Sequence, residues 1–436
     1  MSIKKYDKSI IRETALEKDV PITRFILDAF YKSLRTPITL LGASPTSISV
    51  VESALLVAKR YHSPIMFIAS LNQVDIDGGY TGWTPRKFVE TVSEKAFKLN
   101  YEGPVIIALD HGGPWLKDAH VRQGLDLEEA MEHVMKSIEA AITSGYDLLH
   151  IDTTVDIHSK RPLNEDVIAK RTLDLIEYAE SIRISKGLPR VDYEVGSDRW
   201  GVSDPERVNI LLKMIRKGLI ERGLKETSLL FVVGDLGTRI TPKNMLDINV
   251  GIKLVEIAKK YGLYVKGHST DYVKNPESYR KIGIGGANVG PEFADVEYRG
   301  IKKLVKLLEK KEMQGKDEFY SILNTIVDLV KKDGRWKKYV PRGIDKLESL
   351  PSNYREWVIG ICSRYIWSNR KVNEMRKKLY KHAESIGVNG HKVIIDEIIK
   401  AIRKYTKAFG LEGSTTKLNK VLNRSINKSL ASIDVN

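Results

Sequence analysis

One cysteine, Cys362, occurs in 436 residues. This excludes an intramolecular disulfide framework and a cysteine-rich zinc site, and it suits a reducing compartment. No apolar run approaches the ~18 residues of a membrane span. The opening stretch MSIKKYDKSIIRETALEKD is charged and lacks the apolar centre of a secretory signal. No GxGxxG follows the first strand-like segment, which disfavours a dinucleotide-binding open sheet. The net charge is +15, with the excess late in the chain, at 331–342, 364–381 and 417–428. No zinc-finger, RNP or helix-turn-helix signature accompanies it, so a nucleic-acid partner is not expected. A basic balance of this kind also attracts small anionic substrates. The expectation is a soluble cytoplasmic protein with neither a membrane nor a nucleic-acid partner.

What the chain does have is VIIALDHGGPW, residues 105–115. A run of Val, Ile and Leu reads as a fully buried strand. Gly112, Gly113 and Pro114 then turn the backbone. Asp110 and His111 stand together at the strand's C-terminal end, the edge where parallel α/β folds place their chemistry.

The same pattern recurs along the chain. Apolar segments at 38–44, 64–70, 105–110, 146–152, 191–195, 228–235, 264–271 and 284–291 alternate with helical patterns, and no hairpin signal separates them. Alternation of this kind predicts βαβ units and a parallel sheet. Eight units in about 250 residues is the size of a TIM (β/α)8 barrel. Thr84-Pro85 and Thr241-Pro242 read as helix starts. Residues 71–85 form a long glycine-rich loop, a length that usually signals function. Beyond 300 the periodicity is helical, at 301–311, 318–332, 354–368, 371–380 and 393–409. The domain reading is a barrel with an N-terminal helix over 1–300, a helical extension over 301–410, and a polar mobile tail over 411–436.

Polar residues collect at the strand ends, which a barrel brings onto one rim. His111 and His268 with Glu194 would give a divalent metal imidazole and carboxylate ligands, and catalytic zinc keeps one position open. Such an ion acts as a Lewis acid on a carbonyl or enediolate oxygen. Asp110 or Asp152 would move the proton. Ser44, Asn72, Gln73, Ser269, Asp271 and Asn288 are the candidates for holding substrate. Gly286, Gly290 and Ser269 could offer backbone N–H groups to a phosphate. His150 shares a strand face with Asp152 and reads as a satisfied core histidine. His62, His120, His133, His158, His382 and His391 read as surface. The run Arg364, Tyr365, Trp367, Arg370 reads as core and surface of the extension.

The stretches NQVDIDGGYTGWTP (72–85), DHGGP (110–114), LHIDTT (149–154), GHSTDY (267–272), NVGP (288–291) and WKKYVPRG (336–343) resemble the Z-type subunit of D-tagatose-1,6-bisphosphate aldolase, the GatZ/KbaZ family. That family is related to class II, zinc-dependent ketose-bisphosphate aldolases, which are TIM barrels. The resemblance implies a sugar phosphate substrate, zinc as cofactor, and C–C cleavage through an enediolate. Asp110 would then match the acid/base aspartate, His111 and His268 two metal ligands, Glu194 a glutamate near the metal, and Asn288 a substrate or phosphate contact. The class II enzymes carry a further histidine near the sixth strand, where residues 231–238 have none, so metal binding would have to recruit Glu194 or Asp235, or be lost. The resemblance also implies two alternatives: a ketose 6-phosphate 4-epimerase working by retro-aldol chemistry, and a non-catalytic subunit stabilising a separate aldolase in a homo- or hetero-oligomer.

Overall fold

The computed structural model describes residues 7, 9–200, 204–311 and 316–433. Eight strands, β1 Leu40–Ala43, β2 Ile65–Ser70, β3 Val105–Gly112, β4 Leu148–Ile151, β5 Asp192–Gly196, β6 Ser228–Val233, β7 Tyr264–Gly267 and β8 Gly286–Val289, close into one parallel barrel in sequence order. The last strand pairs with the first, Leu40 with Gly286 and Ala43 with Val289. β3 is buried along its whole length. Its unbroken apolar run reflects a strand covered on both faces, by the barrel interior and by helices.

The helices before the barrel are α1 Ile10–Glu17 and α2 Ile22–Asp28; those around it are α3 Ile48–Arg60, α4 Pro85–Lys98, α5 Asp118–Gln123, α6 Leu127–Ser144, α7 Glu165–Ser185, α8 Pro205–Glu221, α9 Ile248–Lys260, α10 Glu277–Ile282 and α11 Pro291–Lys311. The remaining five are α12 Lys316–Asp333, α13 Ser352–Cys362, α14 Arg370–Ser385, α15 Gly390–Ala408 and α16 Ser414–Ile433. Thr84 caps α4 as expected, accepting from Lys87 N, with Pro85 at the first helical position. Thr241-Pro242 does not open a helix. α9 begins at Ile248, where Asp247 accepts from the amides of Asn249 and Val250, the stronger local cap.

Two arginines from the N-terminal helices plug the barrel's floor. Arg12 of α1 pairs with Asp7 (2.6 Å) and Asp147 (2.7 Å) and donates to the Val105 carbonyl (2.6 Å). Both carboxylates in turn accept strand amides, Asp7 from Val105 and Asp147 from Ile107. Arg24 of α2 likewise reaches Ser228 Oγ (2.8 Å) at the start of β6, whose hydroxyl donates to Asp192 of β5. The first turns of β3 to β6 are thus tied to the N-terminal helices by charge-assisted bonds.

Two expectations on domain layout need correction. No break falls at 300–301, because α11 starts as the barrel's eighth helix and runs on to Lys311, packing on α13 and α15. The polar tail is not loose at its start: α16 packs against α1, with Ser414, Thr415 and Leu418 buried. The Gly413 and Thr415 amides donate to the carbonyls of Tyr61 and His62. Further on, Thr416, Lys417, Lys420 and Asn423 are exposed, and composition alone reads so polar a stretch as tail. Residues 434–436 lie outside those described.

Candidate active site at the barrel mouth

β3 carries one residue too many. Leu109 pairs with Leu149 but Gly112 pairs with Ile151, so a bulge sits at Asp110 and His111. His111 adopts a left-handed backbone (φ 49°), sparsely populated for a residue with a Cβ. In a regular strand adjacent side chains point to opposite faces. The bulge breaks that rule and delivers Asp110 and His111 to the same cavity. Gly113 makes the arrangement possible, since a Cβ there would lie 1.5 Å from the Asp152 carbonyl oxygen. Gly113→Ala is therefore expected to force β3 and β4 apart and cost about 2–3 kcal/mol. Thermal unfolding checks this, and an unchanged midpoint would show that the turn relaxes elsewhere.

Each of two imidazoles is held from behind by a carboxylate. His111 Nδ1 donates to Asp152 Oδ2 (2.7 Å) and His268 Nε2 to Glu194 Oε1 (2.8 Å). Asp152 is itself fixed by the Thr154 amide and hydroxyl, and Glu194 by Lys266 Nζ at 2.6 Å. These contacts assign the tautomers, leaving His111 Nε2 and His268 Nδ1 as lone pairs. The two nitrogens face each other at 3.2 Å. Two lone pairs so placed repel unless a proton or cation joins them. Carboxylate-backed imidazoles turned toward a common point are the arrangement metal sites use. The ligand atoms of Asp110, His111, His150 and His268 lie within 4.8 Å of one another.

Among these four, His150 is already satisfied. Its Nδ1 accepts from the His111 amide (3.1 Å) and its Nε2 donates to the Gly196 carbonyl (2.8 Å). Burial lowers its pKa while Glu194 and Asp110 raise it, with a net rise. A proton on Nδ1 would point at the His111 amide, and that contact favours the neutral ring. The reading of His150 as a hydrogen-bonded core histidine thus agrees with its contacts, although it stands 3.3 Å from Asp110.

Burial opposes ionisation of Asp110, but His111, His268 and the hydrogen bond with His150 outweigh it and hold the carboxyl well below the usual range. Asp152 is likewise held down against its burial, first by His111. Glu194 is lowered to about 2, as Lys266 and His150 override desolvation. Burial lowers the pKa of His111 despite Asp110 and Asp152. The site therefore combines ionised carboxylates with a neutral imidazole, the forms a divalent cation needs.

The cavity above these residues has a volume of about 580 Å³. Of the sequence candidates, Ser44, Asn72, Gln73, Asp110, His111, His268, Ser269, Asp271 and Asn288 line it. Glu194 and Asp152 stand behind the histidines, fully buried. Glu194 is thus placed as a support for His268 rather than a ligand, because both its oxygens are already bonded. Asp152 is placed to orient His111 rather than to meet substrate. Asn288 Nδ2 lies 3.4 Å from Asp110 Oδ1, while its own buried Oδ1 has no partner. Gly42 makes room for it, since a Cβ there would fall 2.4 Å from that oxygen. Asn72 and Gln73 are spent largely on their loop, Asn72 bridging Leu116 and Asp118, and Gln73 accepting from Ser70.

The glycine-rich phosphate reading fails at Gly290. Its N–H donates to Asp271 Oδ1, which also accepts the Glu292 amide and so caps α11. Gly286 is engaged in β8. His120 is not on the surface but 2% exposed, its ring 5.5 Å from that of His133. Sequence reading also missed the extension's share in the site. Lys338, Tyr339, Arg364 and Tyr365 line the cavity, so Arg364 and Tyr365 are not merely extension core. Lys338 Nζ holds Asp118 at 2.9 Å, and Ser368 donates to the Tyr80 carbonyl, which fixes the extension to the barrel's loops. Lys266 was within reach of the sequence, because it shares the alternating face of β7 with His268. A second cavity, about 410 Å³ at the barrel's other end, is lined by Arg24, Arg190 and Arg216 but has no imidazole cluster.

The fold compares well with a probable tagatose 6-phosphate kinase of Sinorhizobium meliloti 1021, at TM-score 0.71 and 20% identity over 85% of this chain and 100% of that one. It compares more loosely with fructose-bisphosphate aldolase of Campylobacter jejuni, at TM-score 0.50 and 11% identity over 95% and 96%. At these identities both likenesses concern the fold alone. The sequence itself matches a family model described as D-tagatose-1,6-bisphosphate aldolase subunit GatZ/KbaZ-like, over residues 36–206. That segment contributes Asp110, His111, His150, Asp152 and Glu194, and over it the sequence is similar to the GatZ/KbaZ-like family.

Proposed function

We propose that this chain is itself an aldolase-type enzyme acting on a ketohexose phosphate, with a divalent metal, zinc in the first instance, held by His111 and His268 together with Asp110 or substrate. One observation carries the reading. The ring nitrogens of His111 and His268 face each other at 3.2 Å, each ring held by a buried carboxylate at its other nitrogen, and call for a proton or a cation between them. When bound, the ion supplies Lewis-acid polarisation of the ketose carbonyl and stabilises the negative charge that bond cleavage sends there. The chain's own residues do the rest. Asp110, ionised and on the cavity wall, accepts the C4 hydroxyl proton as the C3–C4 bond breaks and its electron pair moves toward the carbonyl. It returns that proton to the C4 oxygen when the bond re-forms, or gives it to C3 of the enediolate when the ketotriose leaves. Asn288 holds Asp110 from one side and offers its unpartnered Oδ1 to a substrate hydroxyl. Asp152 and Glu194 keep the imidazole tautomers fixed.

The word "subunit" in the family description supports a second reading, a silent partner of a separate aldolase. The test is to incubate the purified chain alone, zinc-loaded or stripped with a chelator, with fructose and tagatose 6-phosphates and 1,6-bisphosphates, following products by NMR. Zinc-loaded protein is expected to turn over at least one of them. Chelation should abolish this, zinc should restore it, and restoration should fail in His268→Ala. Triose phosphates identify an aldolase; fructose–tagatose interconversion without free trioses identifies a 4-epimerase using the same residues. No turnover by the zinc-loaded chain, with stimulation of an added aldolase, would establish the partner role.

A further inference from the structure

The extension places on the cavity wall one cation, Arg364, that forms no ion pair among the described residues, although it is near enough to Asp271 to oppose the burial-driven rise of that carboxyl's pKa. Arg364 is 5% exposed. Its guanidinium lies 4.3 Å from the Tyr365 ring centroid and 5.2 Å from that of Tyr339. It donates to the hydroxyls of Tyr339 and Tyr365 and to the Ile361 carbonyl. These engage three of the five N–H groups an arginine carries, and every acceptor is neutral. Among the described residues no carboxylate lies within 4.0 Å of it. Arg199 also lines the cavity without an ion pair among the described residues but is exposed to solvent, and the other neighbouring cations are paired. Arg335, stacked 3.8 Å over the same Tyr365 ring, pairs with Asp333 at 2.6 Å. Lys338 pairs with Asp118, and Arg239 with Asp235. A buried charge with only neutral partners is costly unless an anion completes it. Arg364 borders the same cavity as Asp110 and His111.

We propose that Arg364, clamped by Tyr339 and Tyr365, is the anion subsite that receives the phosphoryl group of the sugar phosphate, at a part of the cavity distinct from the reacting carbon. The planar guanidinium suits a phosphoryl group, to which it donates two parallel hydrogen bonds. The stacked tyrosines fix its plane before the ligand arrives. The subsite rests on the sugar-phosphate reading above only for what carries the phosphoryl group.

The test measures binding, not turnover. Calorimetric titration of chelator-stripped protein with inorganic phosphate, fructose 6-phosphate and fructose compares wild type, Arg364→Met and Arg364→Lys, so that no metal competes for the ligand. Wild type is expected to bind fructose 6-phosphate about 30-fold or more tightly than fructose. Arg364→Met should lose that preference, and Arg364→Lys should keep part of it. Equal binding of fructose 6-phosphate by wild type and Arg364→Met overturns the proposal, as does a wild type indifferent to the phosphoryl group. Inorganic phosphate binding as tightly as fructose 6-phosphate overturns the assignment to a sugar phosphate. If Arg364→Met does not fold, shown by its near-ultraviolet circular dichroism, wild type labelled with 15N-arginine decides. The Nε resonance missing from Arg364→Lys must shift with fructose 6-phosphate, and its failure to shift overturns the proposal. Arg364-dependent binding without any turnover keeps the subsite and removes the catalytic reading; turnover with binding unaltered in Arg364→Met does the reverse.

Discussion

Asp110→Asn is expected to lower kcat on a ketohexose phosphate by about 10³-fold, the usual scale for losing a positioned general base. The substitution keeps shape and hydrogen bonding: the amide can still meet Asn288, and the cavity is unchanged. What it removes is an ionised oxygen able to take a proton. KM is expected to stay within about threefold, because an interaction made only in the transition state affects kcat and kcat/KM together. Metal content, measured on the same samples, assigns the role. Unchanged zinc with lost turnover marks Asp110 as a base. Zinc lost along with turnover would make it a ligand, and activity near that of wild type would remove it from the chemistry.

The second large effect is on stability. Arg12→Met is expected to cost about 4 kcal/mol, since it leaves two buried carboxylates, Asp7 and Asp147, without their cation. Asp7 and Asp147 are 6% exposed each, too buried for water to substitute freely. The loss should appear in the urea midpoint without a change in slope. Adding Asp147→Asn to Arg12→Met should recover part of it, because the uncompensated charge, and not the missing contact, is the main penalty. A loss below about 1 kcal/mol in Arg12→Met would show that the floor of the barrel reorganises.

The barrel was legible because its signals are local. Each strand is a short apolar run, each helix an amphipathic stripe, and their strict alternation leaves few topologies. His111, His268 and Asn288 were legible for a related reason: strand ends share a rim, so position along the strand stands in for position in space. That proxy fails one step back from the rim. Glu194 ends a strand like the others, and only the packed interior shows that Lys266 and His268 already occupy both its oxygens. It fails more completely for Arg364, more than 60 residues after β8. Its place on the cavity depends on how α11, α13 and α15 pack, and no spacing in the sequence encodes that. The 411–436 segment misled for the opposite reason. Its composition is that of a tail, but Leu418 needs only one apolar neighbour surface to hold a helix in place, and α1 provides it.

The bulge in β3 has a mechanical consequence. Residues brought together from different strands, such as His268 and Asp110, keep their spacing only as well as the barrel keeps its shape. Asp110 and His111 are joined by a single peptide bond. Their spacing depends on the backbone and side-chain torsions of the bulge itself and not on the distance between strands. On the proposed reading, the base and one ligand for the cation therefore sit on a single bulge, and a change in that bulge would move both together.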